Sequence, residues 1–244
     1  MNSNPILTER ALKNIDYSGL KPMTLENTFQ KFFILMIPFL LAAGAMYYQY
    51  VLQHNDFVNL ATTISMFAGL IIAFIIFFKP RLTMYFAPVY AFCEGAFLSG
   101  MSCFVNNMYP GIVIQAVVLT ILAAVVCAVL YMSRIIKVTE RFRSVVVSAT
   151  IAIAIFYLIA LVLIFGFHKD IPLLYSSSPI GIGFSIFVCI LACANLLLDY
   201  NFIERAIVDH APEEFGWYAA FGLMVTLVWL YIEVLRLLQR FARR

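Results

Sequence analysis

Seven times along this chain an apolar run of about twenty residues is closed by a short polar turn. A run of that length crosses a bilayer as an α-helix, because hydrocarbon obliges every backbone amide to bond within its own segment. The runs lie at about 31–51, 60–78, 85–105, 111–132, 145–167, 180–206 and 217–238. The expected fold is all-α: a polytopic membrane protein of seven transmembrane helices. A cytosolic amino-terminal tail is expected over 1–30 and one membrane domain over 31–241. Composition agrees, since 64% of the 244 residues are hydrophobic and 12% are charged. Soluble domains carry roughly 25% charge. The tail lacks the apolar stretch and small-residue cleavage site of a signal peptide, so the first span is expected to insert uncleaved.

Basic residues set the expected orientation, because Lys and Arg accumulate on the cytosolic side. Arg10, Lys13, Lys21 and Lys31 belong to the tail, Lys79 and Arg81 to the turn after span two, and Arg205 to the turn after span six. Arg134, Lys137, Arg141 and Arg143 follow span four, where they also suit anionic lipid. The opposite turns hold only Lys169, so the amino terminus is expected to be cytosolic. Seven spans then place Arg240, Arg243 and Arg244 on the far side, against the rule.

The same reading excludes several functions. The net charge of +3 is small, and no basic-aromatic stretch suggests a nucleic-acid partner. The chain lacks a phosphate-cradling glycine loop, HExxH, GxSxG and any Ser/His/Asp set. His54, His168 and His210 all fall in turns. No catalytic residue, enzymatic activity, cofactor or permanently bound metal is expected. The five cysteines lie in apolar runs, which argues against a disulfide framework. Cys189 and Cys193 are one helical turn apart, but no His, Asp or Glu completes a ligand set, so packing is expected.

What remains is a small set of ionisable groups inside the runs. The last run carries Glu233 and Arg236. A charge at the centre of a spanning helix costs about 3 kcal/mol on insertion scales, so it faces protein or water rather than lipid. Span seven is therefore expected inside a bundle. Asp199 ends the apolar part of span six, with Asn195 one turn earlier. Glu94 sits in the middle of span three, within CEGAFLSG, whose Gly95, Ala96, Ser99 and Gly100 permit close helix approach. Asn195 suits a bond between helices. Trp217 and Tyr218 are expected as interfacial anchors, and Trp229 as an internal residue.

EGAFLSG in span three, GIVIQAVVLT opening span four, LLLDYNFIE closing span six and WYAAFGLMVTLVWLYIEVLRLL in span seven resemble the Bax inhibitor family, also called the transmembrane Bax inhibitor motif family. The tail SNPIL…MTLE is similar to a bacterial branch. The resemblance covers nearly the whole chain. It implies a seven-helix fold with the last helix central, a bacterial plasma (inner) membrane, and a pH-sensitive calcium leak. It also implies a carboxylate pair on helices six and seven as pH sensor, matched here by Asp199 and Glu233. Close relatives carry aspartate where this chain has Glu233. In relatives an arginine near the end of span two can pair with the helix-six acid, and Arg81 or Lys79 is the nearest match here.

Two acids at short range cannot both ionise cheaply, so a shared proton would hold the helices together and its loss would separate them. The same oxygens could receive calcium transiently. The competing arrangement has Asp199 solvated or capping at the interface and Glu233 paired with Arg236 at i+3. The first expected function is thus a pH-gated cation (calcium) leak channel. The second is a membrane-embedded regulator that binds a membrane protease or stress-response partner and transports nothing. Both place the protein in a lipid bilayer. A proton-coupled transporter is weaker, for want of paired broken helices.

Overall fold

A computed structural model describes residues 21–167 and 178–243. Most of the tail, with Arg10 and Lys13, lies outside the described residues, as do His168 and Lys169 in the turn after span five. The described helices are α1 (Leu25–Val51), α2 (Asn55–Phe78), α3 (Thr83–Met108), α4 (Ile112–Met132), α5 (Glu140–Phe167), α6 (Pro179–Val208) and α7 (Phe215–Ala242). Each has a segment long and apolar enough to cross a membrane. A 3-10 turn, Pro80–Leu82, joins α2 to α3. Large side chains such as Phe33, Leu41, Phe78, Ile114 and Leu158 are exposed, a greasy surface that only a bilayer can cover.

Local chemistry explains the helix ends. Thr24 caps α1 through a reciprocal capping box with Asn27. Pro38 and Pro88 lie inside α1 and α3 without ending either helix. Gly111 precedes α4 with φ +84, in the left-handed region that favours glycine.

The chain packs as two compact units. The first runs to Pro110 and includes Asn201–Val225. In it the small-residue face of α3 does what the sequence predicts. A Cβ on Gly95 would collide with the Phe39 carbonyl of α1, and one on Gly100 with the Thr62 hydroxyl of α2. Ser99 donates to the Ala43 carbonyl at 2.8 Å. Tyr90 meets Phe221 edge-on, with ring centroids 4.9 Å apart.

The same unit ties the incoming chain to the turn between α6 and α7. Met23 N–H donates to the Ala211 carbonyl at 2.7 Å, and Glu213 N–H to the Lys21 carbonyl at 2.8 Å. Lys31, buried in the first turns of α1, donates to the Glu213 carbonyl at 2.6 Å and pairs with its carboxylate at 3.7 Å. Residues 21–31 and this turn thus lie at the same end of the unit.

The second unit comprises Gly111–Tyr200 and Thr226–Arg244. Its core gathers Val146, Val147, Ile153, Val188, Leu191 and Leu198, with Trp229 packed against it. Asn195 bridges α6 to α5 by donating to Thr150 Oγ1 at 2.8 Å, the expected interhelical bond. Arg240, near the end of α7, is buried and donates to the Gly181 carbonyl in the first turn of α6.

α7 is the most enclosed span. In its most apolar eighteen residues 56% are buried, against 11–50% in the other six. The enclosed positions include Tyr218, at 3% exposure. That corrects the reading of Tyr218 as an interfacial anchor: its ring lies 5.5 Å from that of Phe215, inside the fold.

Candidate functional site

Thr226, Trp229, Glu233, Arg236 and Arg240 follow one another along α7 at steps of three and four residues. That spacing puts them on one face of the helix. A polar stripe on an enclosed membrane helix needs partners from its neighbours, and those partners differ sharply along it.

Glu233 is 1% exposed and fully engaged. Its Oε1 accepts from the Tyr157 hydroxyl of α5 at 2.8 Å and from Trp229 Nε1 at 3.3 Å. Arg236 donates to Oε1 at 3.1 Å and to Oε2 at 3.2 Å. Arg236 also donates to the Tyr157 oxygen at 2.6 Å, and its guanidinium carbon sits 4.9 Å from the centre of that ring. The charge is balanced within one turn of helix, and a phenol locks the pair to α5.

Asp199 is held differently. Its side chain hydrogen-bonds with Thr226 of α7. Its Oδ2 is buried and accepts nothing. No described ion pair reaches it. Thr226 precedes Glu233 by seven residues, about 10 Å along the axis. The expected Asp199–Glu233 pair is therefore corrected. A hydroxyl, not a second carboxylate, faces Asp199, while Glu233 takes the local arginine. The reason is register: Asp199 meets α7 two turns before the acid. The seven-residue interval from Thr226 to Glu233 was a readable signal for the stripe, though not for its partners.

The remaining predicted residues divide between the two units. Glu94 lies in the first unit, hydrogen-bonded by Tyr90 one turn earlier on α3. Its Oε2 is buried and unbonded. Gly69 of α2 makes room for it, since a Cβ there would stand 3.2 Å from Glu94 Oε1. Arg81 is exposed in the turn Pro80–Leu82 and also belongs to the first unit. Asn195 and Arg236 act as hydrogen-bonding partners within the second. Sequence reasoning missed Tyr157, Thr226 and Tyr90, whose hydroxyls serve the three acids. Among the described residues no three His, Cys, Asp or Glu side chains converge as a metal cage would require.

No curated protein and no solved structure matches the chain. A family model described as Bax inhibitor 1 like matches residues 4–243, essentially its whole length. With that extent of match and seven bilayer-length helices, the chain belongs to the Bax inhibitor 1 like family.

Proposed function

We propose that this protein is a pH-sensitive cation leak channel, with calcium as its permeant ion, and that Asp199, rather than Glu233, is its proton-responsive group on α6 and α7. The supporting observation is the contrast along α7: Glu233 has a cation and two further donors, whereas Asp199 has one hydroxyl and a buried bare oxygen. A buried carboxylate without a cation is costly, and protonation is the ready way to relieve it. Gaining or losing that charge changes the bond to Thr226, and so the fit of α6 on α7. A permeating calcium would find one hard oxygen ligand there, enough for passing contact and far short of the six to eight that hold it. Glu94 is a second buried acid of the same kind, within the first unit. The reading places the protein in a bacterial plasma membrane with its amino terminus cytosolic, and assigns it no enzymatic step.

The test is flux into calcium-dye-loaded liposomes across a pH series. Asp199→Asn should leave flux flat with pH, while Glu233→Gln, if it folds, should keep the wild-type profile. Absence of flux, or a profile untouched by Asp199→Asn, overturns the reading. That result would favour the other function, a membrane-embedded regulator of a membrane protease or stress-response partner.

A further inference from the structure

The second unit contains a contact between thiols that the transport reading does not use. Cys127 of α4 is buried. Its S–H donates to the Cys193 carbonyl of α6 at 3.8 Å, which brings the two cysteines face to face across one seam. Neighbouring contacts hold the seam in register. The Tyr200 hydroxyl of α6 donates to the Ala124 carbonyl of α4 at 3.3 Å, and its ring lies 6.0 Å from that of Tyr131. Ala124, Cys127 and Tyr131 share one face of α4, and Cys193 and Tyr200 share one face of α6.

Two thiols held together on separate helices are the starting geometry for a disulfide. We propose that Cys127 and Cys193 form an intramembrane oxidation site, closed to a disulfide by membrane-soluble peroxides. Cys127 has its S–H engaged by the Cys193 carbonyl, so Cys193 is assigned the sulfur that attacks first. The peroxide O–O bond breaks, the alkoxide takes the thiol proton and leaves as alcohol, and Cys193 becomes a sulfenic acid. The Cys127 sulfur then displaces that hydroxyl, which leaves with the Cys127 proton as water. Two thiols lose two electrons, and one peroxide becomes an alcohol and a water. Glutathione is polar and reaches hydrocarbon poorly, so a buried bond outlasts one in the cytosol.

The bond would tie α4 to α6 six residues, about 9 Å, before Asp199. Cys189 lies one turn before Cys193 on α6 and is not the partner of Cys127. That separates this site from general thiol oxidation.

The experiment uses full-length protein in phospholipid nanodiscs treated with cumene hydroperoxide, followed by intact mass and peptide mapping. The expected result is a loss of about 2 Da, two hydrogens, with Cys127 and Cys193 in one linked peptide. Dithiothreitol applied after detergent solubilisation should reverse it. Cys127→Ser and Cys193→Ser should each abolish the link, and Cys189→Ser should keep it. In wild-type protein, which needs no variant to fold, sulfinic acid without linkage, or linkage through Cys189, overturns the proposal.

Discussion

Glu233 and Asp199 are two acids served by one helix, and they show two ways of keeping a carboxyl group in a membrane. Glu233 is neutralised: Arg236 bonds both its oxygens, and Tyr157 and Trp229 also donate to Oε1. Asp199 is tolerated: a threonine hydroxyl serves it and its Oδ2 is sealed without a donor. The difference teaches which acid belongs to architecture and which is available for function. An ion pair closed on itself resists a change of charge, because removing either member strands the other. An acid with one neutral partner can change charge without breaking a network.

The sharpest way to break this comparison is Arg236→Ala. It should leave Glu233 as an uncompensated buried charge and cost about 3–5 kcal/mol in detergent-induced unfolding. Adding Glu233→Gln should restore most of that loss. If the double variant is no better than the single, Arg236 acts through packing and the neutralisation account is wrong. Tyr157→Phe removes the hydroxyl that joins the pair to α5, and should cost about 1–2 kcal/mol by the same measurement. Thr226→Val takes away the one described donor to Asp199 at nearly constant volume. About 1 kcal/mol is expected, together with a displaced pH midpoint of flux. Asp199→Asn should have the smallest effect on stability, within about 0.5 kcal/mol, because the amide can still bond Thr226 and no ion pair is lost. A loss as large as that of Arg236→Ala would mean that Asp199 is structural too.

Much of the fold was legible because bilayer length and hydropathy act residue by residue. The seven spans, the close approach at Gly95 and Gly100, and the interior place of Glu233 follow from local rules. Even the Glu233–Arg236 bond is an i,i+3 contact within one helix. The pairing of particular side chains between helices was not legible. Asp199 and Glu233 are both acids near the ends of neighbouring spans, and sequence spacing alone allowed them to meet. The clasp of Met23 and Lys31 on the turn before α7 was equally hidden, since it joins positions far apart in the chain. So was Cys127 opposite Cys193, where the sequence offered only Cys189 one turn away.

By itself the sequence determined that this is a helical membrane protein, how many times it can cross, and that its few intramembrane charges must be shielded from lipid. Those properties depend on local composition and on helix geometry that hardly varies. The tertiary structure alone decided the partner of each charge, because the depth at which one helix meets another is set by packing along its whole length. A shift of two turns exchanged a carboxylate for the Thr226 hydroxyl opposite Asp199, and with it one chemistry for another.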